Sequence, residues 1–308
     1  MSENFLDAAK RGQNHWWRYL LGVFLIVFSY WYVGSFTSGI LATILFLASS
    51  AANGNEISNL PSEFQNQLEL YLQASQTRYF VIYSIPIFCA WVGIFITINW
   101  LHKRKIKTLI SADSSLNLQR LISGFLIWLI ILIAFTGVDY LIHPQAYSWT
   151  FDLAKWLPLF PLVLVLTPMQ TSAEEFLYRG YLLQGLGLLS RQKLVLIIVT
   201  SFLFMLPHLA NPEMQRGEIW VALQYFSWGV FFSVLTLKDN RLELSLGAHA
   251  ANNIFAFLFV NTKDSVIPTP AILTVNNPGD PRVGLVVFLV MIAIFYYFFF
   301  GRQKQHSS

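Results

Sequence analysis

Apolar residues in this chain fall in long unbroken runs, at 19–49, 79–101, 121–142, 156–183, 194–209, 219–237, 244–260 and 284–300. A helix needs about 20 such residues to cross the hydrocarbon core of a bilayer, so the pattern predicts eight transmembrane helices. Runs this continuous fit helices better than a membrane barrel, whose strands alternate over about ten residues. The first run exceeds the apolar core of about 7–15 residues in a signal peptide, and is expected to be a retained helix that overshoots the bilayer. Between the first two runs, Phe64, Leu68, Tyr71 and Leu72 recur at helical spacing behind Ser62 and Gln65, which have the spacing of a capping box. A short amphipathic helix on the membrane surface is predicted there. The loop at 263–282 holds Pro268, Pro270, Asn276, Asn277, Pro278 and Gly279, and is expected to be irregular through most of its length.

Composition points the same way. Of 308 residues, 55% are hydrophobic and 12% charged, with a mean hydropathy of +0.53, whereas soluble domains carry roughly 25% charged residues. The class is all-α, a polytopic membrane protein. No linker or composition break divides it, so 19–300 reads as one transmembrane domain between cytoplasmic ends at 1–18 and 301–308. The N-terminus, the C-terminus and the segments 101–120, 190–193 and 238–241 carry 14 Lys and Arg, against 5 in the alternate loops. The positive-inside rule therefore places both termini in the cytoplasm of a cell (inner) membrane protein. The HKRKIK segment from His102 to Lys107 supplies much of that bias. With a net charge of only +4 and apolar runs on either side, it reads as a topology signal in contact with anionic lipid, and nucleic acid is not expected as a partner. Cys89 is the single cysteine and lies in the second run, which excludes an intrachain disulfide and a cysteine metal cage. Trp16, Trp17 and Trp156 are expected as interfacial anchors, and Asp139 as an interfacial acid.

The informative residues are those that do not belong in a membrane. An ionisable group at the bilayer centre costs at least about 2.5–3.5 kcal/mol, so such groups face the protein interior and are functional candidates. The fourth run contains Glu174, Glu175 and Arg179 (SAEEFLYRG), the fifth ends in FLFMLPH with His208, and the seventh contains His249 and Asn253 (HAANN). In a helix Glu175 and Arg179 share a face with the acid N-terminal, the favourable order for an ion pair. Glu174 is turned about 100° from them and stays available for other work. His249 and Asn253 also share a face. Glu174 precedes Ser190 by about as many residues as separate Lys193 from His208, so an antiparallel hairpin brings the two to one height. A carboxylate and an imidazole sharing a water require that. Each residue also has a structural reading: Ser172 and Glu175 as a capping box where a helix restarts after Pro168, His208 as a helix-end cap, His249 and Asn253 as interhelical hydrogen-bonding groups. His249 lies closer to its cytoplasmic loop than Glu174 and His208 do to theirs, which leaves the side on which a site would open undecided.

Read together, Glu174-Glu175-Phe-Leu-Tyr-Arg179, Phe204-Met-Leu-Pro-His208 and His249-Ala-Ala-Asn-Asn253 resemble the EExxxR, FxxxH and HxxxN signatures of the CAAX protease and bacteriocin-processing (CPBP, or ABI) family of intramembrane proteases. The trio occurs in order on separate apolar runs, over about 168–260, with a catalytic core expected at about 156–260. The resemblance implies an intramembrane endopeptidase acting on a membrane-associated protein or peptide. In that reading Glu174 is the general base for a water, assisted by His208. His249 and Asn253 polarise the scissile carbonyl and hold the oxyanion, and Glu175 with Arg179 is the supporting pair. Amide hydrolysis needs such a base, and donors where charge develops. A metal-free glutamate mechanism is favoured because Asn253 is a good oxyanion donor and a poor zinc ligand. Zinc on Glu174, His208 and His249 is the alternative, although no H-E-x-x-H string occurs. Two further classes stay open. A non-catalytic scaffold or immunity factor of the same fold would keep the ion pair without needing the other four residues, and a transporter would show a repeat or paired broken helices, neither of which is evident. The substrate, and whether it is prenylated, is not legible.

Overall fold

The computed structural model describes residues 4–58, 60–113 and 115–301. All of the expected C-terminal tail except Gly301 lies outside them. Seven helices among the described residues are long and apolar enough to cross a membrane: α1 (Trp16–Asn53), α3 (Gln76–Leu101), α4 (Leu118–Ile142), α5 (Leu153–Leu189), α6 (Lys193–Ala210, ending in a 3-10 turn), α7 (Glu218–Asp239) and α9 (Pro281–Phe300). Two shorter helices complete the bundle: α2 (Pro61–Gln73) and α8 (Glu243–Leu258).

The seventh predicted span, 244–260, is the one not among these seven: it is the short helix α8, which has only 16 residues. It is buried along almost its whole length, including Glu243, Ser245 and His249. The cause is in its sequence: a helix carrying Glu243, His249, Asn252 and Asn253 cannot turn those groups to lipid. Gly247 and Ala248 let its backbone press against α4, where Gly247 lies against Leu121 and Phe125 and Gly124 lies against Leu244. An aromatic cluster of Trp128, Phe231, Phe232, Phe288 and Phe295 packs around Leu244, Ala248 and Ala251. Surrounding helices present large apolar residues outward, such as Leu141 at 79% exposure and Leu194 at 69%. That is the arrangement of a bundle whose outer solvent is hydrocarbon.

Helix α1 is continuous over 38 residues, with a π-helical segment at Ser29–Gly34. At about 1.5 Å per residue it far exceeds a 30 Å core, as expected. Helix α2 forms where predicted, but its capping box does not. Pro61 occupies the first turn and Leu60 the cap without a side-chain bond, because proline's fixed φ starts the helix one residue before Ser62. Its apolar face rests on neighbouring helices: Leu72 is buried with Ala42 and Ile82, and Phe46 of α1 meets Phe64 and Tyr71.

The two ends of the bundle differ. At one, the segments expected in the cytoplasm meet. Phe5 N donates to Asn240, Arg191 pairs with Asp7 at 2.8 Å, and Ser111 bridges to Arg241. The N-terminal segment is not a loose polar end, since its 3-10 helix Phe5–Arg11 buries Phe5 and Leu6 against Leu183 and Leu196. At the other end, β1 (Tyr147–Trp149), β2 (Val260–Thr262) and β3 (Leu273–Val275) form a sheet in the order β1-β3-β2. Strand β3 pairs antiparallel to β1 and parallel to β2. The loop is irregular through most of its length as expected; the exception is 273–275, where the β-branched Thr274 and Val275 favour a strand and its pairing satisfies backbone groups that would otherwise be left unbonded. Trp16 and Trp17 are exposed as anchors should be, whereas Trp156 is half-buried and donates to Leu258 O at 2.9 Å. Asp139 is exposed and held by His143 and Tyr147.

Candidate active site

Helix α5 carries both glutamates. It runs unbroken through Pro158, Pro161 and Pro168, so the capping box at Ser172 does not form, and the Ser172 hydroxyl instead donates to Pro168 O. Immediately after Glu175 the helix widens into a π segment, Phe176–Leu183. Such segments are rare and concentrate at functional sites.

Glu175 and Arg179 are both fully buried, and Arg179 Nη1 donates to Glu175 Oε1 at 3.0 Å. A second guanidinium nitrogen donates to Gly229 O on α7 at 3.3 Å, and the cation lies 4.4 Å from the Phe204 ring centre. Glu175 has another partner that sequence spacing did not give: His249 Nδ1 stands 2.9 Å from its Oε1. A carboxylate at Nδ1 fixes the imidazole so that Nε2 turns the other way, toward Glu174 Oε2 at 3.8 Å. Phe232 stacks on that ring with centres 4.7 Å apart. Glu174 keeps 28% of its side chain exposed, and its Oε1 accepts from Gln170 Nε2 at 3.5 Å. The two adjacent acids thus differ as their 100° separation requires, one neutralised inside and one turned to open space.

His208 leaves the end of α6 in a 3-10 turn, with Nδ1 2.8 Å from Phe204 O and its ring 4.5 Å from that of Tyr225. A carbonyl only accepts, so Nδ1 carries the proton and Nε2 is the free acceptor of the neutral ring. Glu174, His208, His249 and Asn253 line a single cavity of about 810 Å³. It reaches from Trp31 and Ile94, between α1 and α3, to Glu213, Val266 and Pro278 at the end that carries the sheet. At that mouth burial pushes the Glu213 carboxyl above the usual range, and Oε1 accepts from Val266 N. The depth of His249 also has an explanation. Helix α8 starts inside the protein, with Glu243 fully buried and Leu242 N bonded to Ile110 O at 2.9 Å, so few residues separate His249 from its loop.

Several lining residues escaped sequence reasoning. Gln170 and Tyr178 stand four residues either side of Glu174, a period that could have found them, and Asn252 adjoins Asn253. Tyr225 and Phe232 come from α7, which carries no motif. Among the described residues no three His, Cys, Asp or Glu side chains converge closely enough to hold a metal ion. As arranged, Glu174, His208 and His249 do not converge closely enough to share one zinc ion, and no step of the proposed mechanism runs through a metal.

The family described as type II CAAX prenyl endopeptidase Rce1-like matches residues 154–255, which hold all six polar residues of the trio. The uncharacterized protein YyaK of Bacillus subtilis (strain 168) is 33% identical over 303 residues, covering 96% of this chain and 97% of that protein. No solved structure matches. The buried Glu175–Arg179–His249 lattice, the cavity it faces and these two likenesses together identify the chain as a member of the Rce1-like CAAX protease family, the CPBP or ABI family.

Proposed function

We propose that this protein is an intramembrane endopeptidase that hydrolyses a peptide bond of a membrane-associated protein or peptide through a water activated by Glu174. The observation that carries the reading is the contrast between two carboxylates on one helix. Glu175 is consumed by Arg179 and His249, while Glu174 faces a cavity lined by two imidazoles and an amide. The gap of 3.8 Å between Glu174 and His249 is too long for a direct hydrogen bond. An oxygen about 2.8 Å from each would fit it.

In this reading Glu174 takes a proton from the water as it attacks the scissile carbonyl, and His208, with Nε2 free, assists by holding the same water. His249 and Asn253 polarise the carbonyl and receive the developing oxyanion. Acting as a donor through Nε2 while Nδ1 faces Glu175 requires a proton on each ring nitrogen of His249. Collapse of the tetrahedral intermediate then requires a proton on the leaving amine, which Glu174 returns. The preorganised donors act away from bulk water, where they are worth most. We place the protein in the cell membrane with both termini cytoplasmic, which sets the cavity mouth near Glu213 on the outer side.

The reading is tested by incubating the purified protein with membrane fractions and mapping new peptide termini by mass spectrometry. Termini that arise with wild type and not with Glu174→Gln support it, and a chelator should not prevent them. Loss of cleavage on chelation, restored by zinc, would replace the glutamate mechanism by a metal one.

A further inference from the structure

An oxyanion donor is useful only if its donor points the right way, and an asparagine amide has no intrinsic preference between its two orientations. In this protein the choice is made by a residue on another helix. Trp128 of α4 is fully buried, and its indole Nε1 donates to Asn252 Oδ1 at 3.5 Å. An indole N–H is a donor only, and a buried one without an acceptor costs free energy, so Asn252 has to offer its oxygen on that side. The Asn252 Nδ2 group is then forced to the opposite side, where Asn253 Oδ1 lies 3.1 Å away. With its oxygen occupied, Asn253 can turn only its Nδ2 group elsewhere. That group has no protein acceptor among the described residues, and Asn253 lines the cavity.

We infer that Trp128 and Asn252 are positioning residues that lock the Asn253 amide with its N–H groups facing the cavity. Polarity passes through two amides in series from a group that cannot reverse. Trp128 does not reach the cavity, and Asn252, which shares its lining, acts here through Asn253. The inference deepens the peptidase reading and rests on it for its kinetic consequence, but the hydrogen-bond chain can be observed without any substrate.

The test uses full-length protein labelled with 15N at tryptophan. The Trp128 indole signal is assigned by its disappearance in Trp128→Phe. Asn252→Ala is expected to move that signal upfield and speed its exchange, whereas Asn252→Asp, which still accepts from the indole, keeps it in place. Function should divide differently. Aspartate cannot donate to Asn253, so Asn252→Asp should lower kcat by about 10²-fold, within the range for loss of one oxyanion donor. KM for a peptide the wild type cleaves should stay unchanged, and in an Asn253→Ala background the same substitution should cost nothing further. An Asn252→Asp enzyme that turns over at the wild-type rate would overturn the proposal. So would a Trp128 signal indifferent to Asn252→Ala, or losses that simply multiply in the double variant. Should the wild type cleave no peptide at all, the peptidase reading fails, while the indole signal still decides whether the amide is locked.

Discussion

Glu174 and Glu175 are chain neighbours with opposite fates, and the difference follows from one residue of helical rotation. Glu175 is fully buried and bonded to Arg179, whose guanidinium lies over Phe204 and Phe232, and to His249, whose imidazole stacks on Phe232, and its second oxygen is buried and unbonded. Removing one partner of so enclosed a pair leaves a charge without compensation, at a cost of roughly 3–5 kcal/mol. Arg179→Ala should therefore lower the amount of folded protein in the membrane well below that of Arg179→Lys, read by quantitative immunoblotting and fluorescence-detected size exclusion. Equal, wild-type amounts of both would remove the pair from the account. This much of the site was legible, because i, i+4 spacing within a helix is a local property. The bond between His249 and Glu175 was not. It joins residues 74 apart, and nothing in either helix alone says which of two adjacent acids the imidazole will take.

At the scale of elements, small residues govern how close the helices come. A β-carbon on Gly247 would lie 2.2 Å from Leu121 O and 2.7 Å from Phe125 N, both backbone atoms of α4 that cannot swing aside. Gly247→Ala should destabilise the bundle by about 1–3 kcal/mol, the usual cost of overpacking. Since Gly247 is two residues from His249, activity should suffer more than stability. Thermal unfolding in detergent and turnover measured on the same preparation check both, and an Ala variant as stable as wild type would contradict the close approach. On the face that carries the sheet, Arg216 grips Asp264 through two nitrogens and holds its carboxyl below the usual range. A carboxyl depressed by folding stabilises the fold above its unfolded pKa, and that contribution is lost as pH falls through the folded value. Hydrogen exchange in β2 and the loop after it, corrected for intrinsic rates, should hold steady from neutrality down to the ordinary aspartate pKa of about 3.9 and quicken only below it. Asp264→Asn should reproduce the quickening at neutral pH. Exchange unaffected by either change would exclude the clamp. The elements themselves were readable from run length, except where tertiary need overrode it: a helix too polar for lipid was sheathed and kept short, and a turn-rich loop contributed a strand.

For the whole molecule, the alternation of basic and non-basic loops agrees with the way the bundle sorts its ends. The segments richer in Lys and Arg meet at one end, through Asp7–Arg191 and Ser111–Arg241, and the sheet closes the other. The short α8 still carries the chain from one end to the other, so both termini fall on the same side. Reporter fusions after Gln303 should read cytoplasmic and fusions within 268–277 external, and an external C-terminus would contradict the eight-pass path. The proposed mechanism rests on Glu174, which faces the cavity while its neighbour Glu175 is held by Arg179 and His249. The most direct measurement is the rate at which detergent-purified Glu174→Gln cleaves a membrane peptide that the wild type cuts, with its thermal unfolding followed in parallel. The substitution keeps size and packing and removes the base, so the account predicts a fall of about 10²–10⁴-fold in kcat with unfolding unchanged. Full activity in a well-folded Glu174→Gln protein would contradict it.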